Sequence, residues 1–408
     1  MLRLSAPWLL PVVGEAIADG AILLDDNGRI AVVGPAAAVP TPDGATVHHY
    51  TGAALLPGLV NTHTHLELTG LAGLAEDDEF WSWIKHLIAI KAARSDEAFF
   101  AAAVQGIHDC WQAGVTTICD TGSTGQVIAA LAQLGGSGIV HHEVFGPDPA
   151  ECDAAMARFS ANLDRLARHA TGRIRLGVSP HAPYTVSGPL YRAAAELARA
   201  HGAPIAVHVA EPAGESALLR DFTGTFADAW RERGLSRPSP VAISPVAWLH
   251  QHGVLTPETL CIHVIQADDA DADLLQRQQC AIAHCPRSNR RHHQQDAPLG
   301  RFLDRGLRIG LGTDSVVSVT PLDLMAEARS ARLLAGWSAV ESVRVLTLGG
   351  AEALGLAREI GSLEAGKWGD ITAVTIPATT APEEAVLASA LTDVRATWLA
   401  GRVVYVGG

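Results

Sequence analysis

Apolar residues run along this chain in two rhythms. Near each end they come as short pieces broken by turn residues. Ala21-Ile22-Leu23-Leu24 is followed by Asp25-Asp26-Asn27-Gly28 and then by Arg29-Ile30-Ala31-Val32-Val33. Asn-Gly between apolar runs predicts a β-hairpin, because both residues tolerate the positive φ of a tight turn. The far end repeats this pattern. There Gly366-Lys367-Trp368-Gly369-Asp370 leads into Ile371-Thr372-Ala373-Val374, and two strand-like pieces flank Ala400-Gly401. Residues 1–56 and 358–408 are therefore expected to build one composite β-sandwich.

Between 57 and 357 the rhythm changes. Near-continuous apolar runs end near His63, Asp120, Phe145, His181, His208, His263, His284 and Asp314, eight in all. Stretches rich in Ala, Leu, Arg and Glu separate them, as in 190–201 and 268–279. Strands buried on both faces read as unbroken apolar runs, and their alternation with helices implies a parallel sheet. Eight such units over about 300 residues predict an α/β chain with a (β/α)8 TIM-type barrel. The interval 211–259 is too long for one crossover, and two helices are expected there, split by Ser236-Arg237-Pro238-Ser239-Pro240.

Composition narrows the function. The 408 residues are 48% hydrophobic, enough for a large core. Lysine and arginine number 30 against 43 acids, a net charge of -13 with no basic run, which argues against nucleic-acid or anionic-membrane partners. No apolar stretch approaches the ~20 residues of a membrane span. Pro7 and Pro11 interrupt the mildly apolar N-terminus, so a first strand is expected there rather than a signal peptide. The six cysteines form no Cys-x-x-Cys pair and read as reduced core residues of a cytoplasmic protein.

Chemistry collects at the ends of the apolar runs. His63 and His65 stand two apart in Val60-Asn61-Thr62-His63-Thr64-His65, so both project from one face of a strand. His208, His263 and Asp314 end the fifth, sixth and eighth runs, where barrel enzymes gather their reacting groups. Imidazole suits zinc and its first-row neighbours, and an acid ending an apolar strand is costly unless paired or metal-bound. Taken singly, the His-x-His pair and His208 read as core histidines and Asp314 as a helix N-cap. Together they point to a metal centre. Glu211 lies three beyond His208 and just before Pro212, which ends the strand and turns the carboxylate back over the mouth, a general acid/base position. The only lysines are Lys85, Lys91 and Lys367, none on the second to eighth runs. That excludes a second metal held by a carboxylated lysine on strand four, and one ion is expected.

With these motifs the chain resembles the amidohydrolase superfamily. Within it, the chain is similar to the aminohydrolase and chlorohydrolase branch, which includes guanine, methylthioadenosine/S-adenosylhomocysteine and aminodeoxyfutalosine deaminases and triazine hydrolases. The resemblance rests on Pro57-Gly-Leu-Val-Asn-Thr-His63-Thr-His65-Leu66, Ser179-Pro-His181-Ala-Pro-Tyr-Thr185, His208-Val-Ala-Glu211, His263, His284-Cys-Pro-Arg287-Ser-Asn289 and Gly312-Thr-Asp314-Ser315. The segments from Gly361 to Asp370 and Val403-Val404-Tyr405 extend it to nearly the whole chain. It implies His63, His65, His208 and Asp314 as ligands of one divalent metal ion, zinc foremost, with Fe2+, Mn2+ and Ni2+ as alternatives. It implies Glu211, His263 and Asp314 as catalytic. The implied reaction is deamination of an amino-purine base or a nucleoside-like compound such as aminodeoxyfutalosine. The alternative on the same scaffold is a chlorohydrolase or a cyclic amide hydrolase. The chain departs from the branch after Asn289, where Arg290-Arg291-His292-His293-Gln294-Gln295 replaces a short apolar segment, and in the length of 211–259.

In the expected mechanism a hydroxide generated on the metal attacks the ring carbon bearing the exocyclic amine. Glu211 takes the water proton and hands it to the ring nitrogen, Asp314 orients the nucleophile and helps move a proton to the departing amine, and His263 holds the hydroxide or the developing oxygen charge. Trp83, in Phe80-Trp81-Ser82-Trp83, is a candidate for stacking on a planar base or for packing a helix. His181 is a candidate for a ring nitrogen, and Glu67 for a ribose hydroxyl or an arginine partner. Arg287, with Arg290 and Arg291, would receive a carboxylate tail or sit in a solvated loop. The partners expected are a small N-heterocyclic substrate and a second copy in a homodimer.

Overall fold

The eight apolar runs of the middle segment pair side by side and close on themselves. The structure, a computed structural model, describes residues 1–75, 79–239, 241–293 and 295–407. Five strands come first: β1 (Leu2–Leu9), β2 (Ile17–Leu24), β3 (Ile30–Pro35), β4 (Thr46–His49) and β5 (Ala53–Pro57). The barrel follows as β6 (Leu59–Thr64), β7 (Val115–Gly122), β8 (Gly138–Val144), β9 (Ile174–Pro180), β10 (Ile205–Val209), β11 (Thr259–His263), β12 (Ala281–His284) and β13 (Arg308–Leu311). Last come β14 (Ile371–Thr375), β15 (Val394–Leu399) and β16 (Arg402–Val406). Strands β6 to β13 lie in sequence order, each parallel to the next. A parallel bridge from Thr64 to Asp314 completes the cylinder. Val60, Cys119, Ile139, Ala206, Ile262 and Ala283 pack together among the barrel strands.

Helices cover the outside. After β6 run α1 (Phe80–Ala92) and α2 (Asp96–Gln112), after β7 α3 (Gln126–Leu134), after β8 α4 (Cys152–Ala167), and after β9 α5 (Gly188–His201). After β10 come α6 (Ala213–Arg220), α7 (Gly224–Glu232) and α8 (Pro245–Gln251); after β11 comes α9 (Asp269–Arg277). After β12 come α10 (Pro286–His293) and α11 (Leu299–Asp304), and after β13 α12 (Leu324–Ala335). α5 shows why they form: Leu190, Tyr191, Ala194, Ala195 and Ala198 share one stripe and are buried on the strands. The 211–259 interval holds three helices, one more than expected. The extra break falls between α6 and α7, where Phe222 (φ +53) and Gly224 (φ +83) leave helical geometry, and the proline stretch divides α7 from α8. Among the described residues no helix is long and apolar enough to cross a membrane.

The chain ends share a second sheet, ordered β16-β15-β14-β5-β1-β2-β3, with β4 also pairing β1. Strand β1 divides its edge: Leu2 to Ser5 pair with β4, and Trp8 and Leu9 with β5. The sheet thereby folds over its own core of Leu4, Leu24, Leu55, Ile371 and Trp398, and His48 meets Trp398 at 5.1 Å between ring centroids. At the Asn27-Gly28 turn, Asp25 Oδ1 accepts from the backbone N–H of Asn27 (2.9 Å) and Arg29 (2.8 Å). Gly28 has φ +79, and a Cβ there would strike the Ala400 carbonyl at 2.0 Å, so the two termini touch at this glycine.

Candidate metal centre and active site

Each chemical group reaches the barrel mouth because a strand ends there. The β6–β7 pairing slips between Asn61 and Thr64, the kind of irregularity that re-aims side chains at a strand end. The His63 ring centroid lies 4.7 Å from that of His65 and 4.9 Å from that of His208. One nitrogen from each of the three falls within 4.8 Å of the others. Asp314 Oδ1 stands 3.6 Å from His63 Nε2 and 3.5 Å from His65 Nε2. Asp314 Oδ2 accepts from the Ser288 hydroxyl at 2.6 Å, and Oδ1 from the Ser315 N–H at 2.7 Å. His65 Nδ1 sits 2.8 Å from the Thr121 carbonyl, which fixes the proton on Nδ1 and leaves the Nε2 lone pair facing inward.

Among the described residues neither ring nitrogen of His63 has a hydrogen-bond partner, nor has Nδ1 of His208, and all three atoms are enclosed. Unsatisfied buried polar atoms are rare because each forfeits its hydration. The imidazoles of His63, His65 and His208 beside the Asp314 carboxylate form an N3O donor set that fits a divalent first-row cation. Burial lowers His63 to about 4 and pushes His208 well below its usual range, which favours the neutral, ligating form.

Glu211 follows the end of β10 through Ala210, whose φ is +51. Buried Glu215 accepts from the N–H of Ala210 (3.1 Å) and of Glu211 (3.2 Å), which pins that turn. The Glu211 Oε1 atom lies 3.1 Å from His293 Nε2 and 3.7 Å from His263 Nε2. Burial alone would raise this carboxyl, but the charge of His263 and the hydrogen bond from His293 outweigh it and hold it at about 2. His263 Nδ1 meets Asn289 Oδ1 at 2.9 Å, which fixes the ring. His263, Val264 and Asp314 share positive φ with Ala210. Such backbone costs about 1–3 kcal/mol per residue, and it gathers where function needs it.

A cavity of about 190 Å³ opens beside these groups. One wall is the apolar face of α1, with Phe80, Trp83, Ile84 and Leu87; the other carries the histidines, Glu143, Glu211 and Asp314. A larger cavity of about 530 Å³ lies elsewhere, beside Arg175 and Arg308, and none of the groups named above lines it.

The fold brings together His63, His65, His208, Glu211, His263 and Asp314, and it sets Trp83 and His181 in the cavity wall. His181 Nδ1 meets the Thr185 hydroxyl at 2.8 Å, and burial lowers its ring to about 3. Glu67 and Arg287 are corrections, for neither lines the cavity. Glu67 is consumed by Lys91 Nζ (2.7 Å) and the Thr124 hydroxyl (2.6 Å), a lysine partner rather than an arginine or a ribose. Arg287 turns to Glu327, at 3.5 Å, and Arg290 pairs with Asp296, at 2.7 Å, so neither meets the cavity. Reading the sequence missed Glu143, Tyr184, Glu215, Ser288, Asn289 and the His292-His293 pair. The histidine pair lay in view, in the segment where the chain departs from its branch. Glu143 had the same signal as the others, a polar residue near the end of an apolar run.

Residues 54–406 match the Amidohydrolase family model. The chain is 32% identical over 414 residues to 5-methylthioadenosine/S-adenosylhomocysteine deaminase of Nitratidesulfovibrio vulgaris (strain DP4), covering 96% of this chain and 88% of that protein. It is 30% identical to 5'-deoxyadenosine deaminase of Methanothermobacter thermautotrophicus, over 91% of this chain and 83% of that protein. An adenosine deaminase from Xanthomonas campestris, solved with bound zinc, superposes with a TM-score of 0.83 at 26% identity, covering 99% of this chain and 93% of that one.

Proposed function

The chain belongs to the amidohydrolase family and is a hydrolase of C–N bonds, and from that premise we propose that it deaminates an amino-purine base or nucleoside, with one zinc ion held by His63, His65, His208 and Asp314. The observation that carries the reading is the convergence of three imidazoles and a carboxylate beside a buried, ionised Glu211. The zinc of the Xanthomonas campestris enzyme supports the choice of metal. When bound, the cation supplies Lewis acidity and brings the pKa of a coordinated water down toward ~7.

The chain's own residues supply the rest. Glu211, ionised at neutral pH, takes a proton from the attacking water and delivers it to the ring nitrogen beside the amine-bearing carbon. Asp314, anchored by Ser288 and Ser315, orients the water and relays a proton to the leaving amine. His263, held by Asn289, faces the oxygen that gains charge as the ring carbon becomes tetrahedral. Trp83 and its neighbours on α1 cover the planar ring and exclude solvent. Water adds its oxygen to the ring carbon, the C–N bond breaks, and the products are an oxo ring and ammonia. The six cysteines are free, which supports a reducing, cytoplasmic setting. We read residues 57–357 as the catalytic unit and 1–56 with 358–408 as one supporting β-unit.

The test is ammonia release from adenosine, 5'-methylthioadenosine, S-adenosylhomocysteine, adenine and guanine, with metal content measured on the same sample. Turnover of an amino-purine with about one metal per chain is the expected result. Chloride release from a chlorotriazine, or opening of a cyclic amide, with no ammonia from any purine would replace the deaminase reading by the other hydrolase.

A further inference from the structure

Glu143 takes no part in the chemistry above. Along β8 the side chains alternate between faces, so Ile139, His141 and Glu143 share one side. Glu143 is 7% exposed, its Oε1 is fully enclosed, and no residue among those described gives its carboxyl a hydrogen bond. A buried carboxyl is costly to leave so, and one that lines a cavity is satisfied by what enters it. Lys91, which also lines the cavity, is already engaged by Glu67. One Glu143 oxygen lies within 4.8 Å of a nitrogen of His181 and one of His208, beside the reacting centre. Glu211 follows the fifth barrel strand and His293 the seventh, whereas Glu143 ends the third. A substrate whose amine-bearing edge meets Glu211 and Asp314 fills the same cavity that Glu143 lines.

We propose that Glu143 sets substrate choice: its carboxyl accepts hydrogen bonds from the sugar hydroxyls of an amino-purine nucleoside, so that nucleosides are preferred to compounds lacking those hydroxyls. The inference rests on the deaminase reading. A carboxyl offers acceptor oxygens whichever its charge, and the apolar face of α1 is left for the ring.

Adenosine and 2',3'-dideoxyadenosine differ only in the hydroxyls concerned. The experiment measures kcat/KM for both with the wild type, Glu143→Ala and Glu143→Gln. It also measures Kd for inosine and 2',3'-dideoxyinosine by calorimetry, and metal content. The wild type is expected to prefer adenosine by at least roughly tenfold, the worth of one hydrogen bond to a charged group. Glu143→Ala should lose that preference because only the hydroxylated partner suffers, and Glu143→Gln, which keeps an acceptor oxygen, should fall between. The same pattern is expected in the two Kd values. Equal losses on both substrates, or an intact preference in the alanine variant, overturn the proposal. So does a second equivalent of metal that Glu143→Ala loses, which would make Glu143 a cation ligand with His181 and His208. Equal turnover of both compounds by the wild type removes the role of Glu143 and leaves the deaminase reading standing. No ammonia from either while another amino-purine is deaminated overturns the inference and leaves the deaminase reading standing; no ammonia from any amino-purine with metal-loaded protein brings down both.

Discussion

Glu211 and the cation cluster differ in what their loss should do. Glu211 is not among the groups that converge on the metal centre; its carboxylate meets His293 at 3.1 Å and His263 at 3.7 Å. Glu211→Gln is expected to retain full metal by elemental analysis and to lose roughly 10²–10⁴-fold in kcat, the usual worth of a general acid/base. His63→Ala and Asp314→Ala should instead lose the metal; full occupancy in either would remove that residue from the ligand set. Glu215 behaves differently again. Burial pushes its carboxyl up to about 8 from a usual 4.5. The folded protein therefore keeps a proton that the unfolded chain releases above about 4.5, so this residue costs stability as pH rises from there to about 8. Glu215→Gln keeps one acceptor oxygen, for one of the two N–H groups of Ala210 and Glu211, and removes the titration. Its Tm relative to that of the wild type should rise from pH 5 to pH 8, because only the wild type loses stability over that range. A gap that is independent of pH would show that Glu215 does not titrate in this range.

At the scale of elements, close approach decides what glycine must do. A Cβ on Gly312 would meet the His63 backbone N at 2.8 Å and O at 2.9 Å, where the last barrel strand closes on the first. Gly312→Ala is expected to push β6 and its two histidines aside, lowering metal affinity and kcat together, with Tm reporting any wider damage. Normal metal binding would mean that the strand ends can part at no cost. The strand ends were legible because parallel strands buried on both faces read as unbroken apolar runs, and the polar residue closing each run stood out. His63, His208, His263 and Asp314 were found that way. The split between α6 and α7 was not legible, because Phe222 at positive φ carries no mark in the sequence. Glu67 and Arg287 misled for a related reason. Charged residues next to a motif look like substrate contacts, but their direction depends on partners, Lys91 and Glu327, that lie 24 and 40 residues away.

At the scale of the whole molecule, the two β-rich ends could be assigned to one unit from the short strands and tight turns they share, but what ties that unit to the barrel could not. One such tie is Asp370, just before β14. It pairs with Arg173, at the base of β9, through two guanidinium contacts, and also accepts from the Ala400 N–H at 2.9 Å. Arg173 and Arg29 flank the Trp368 ring, at 4.9 Å and 4.0 Å from its centroid, so barrel and terminal sheet meet in one clasp. The Asp370 side chain is 3% exposed and that of Arg173 is 16%. Removing one partner of a pair this enclosed leaves a charge uncompensated, at a cost of the order of 3 kcal/mol. Asp370→Ala should therefore lower Tm markedly, and Asp370→Asn, which keeps an acceptor for Ala400, should lower it less. The clasp touches no residue of the metal centre, so kcat per metal-loaded, folded molecule should stay near wild type in both variants. If kcat falls while Tm holds, the terminal sheet is coupled to the chemistry at the barrel mouth and does more than brace the barrel.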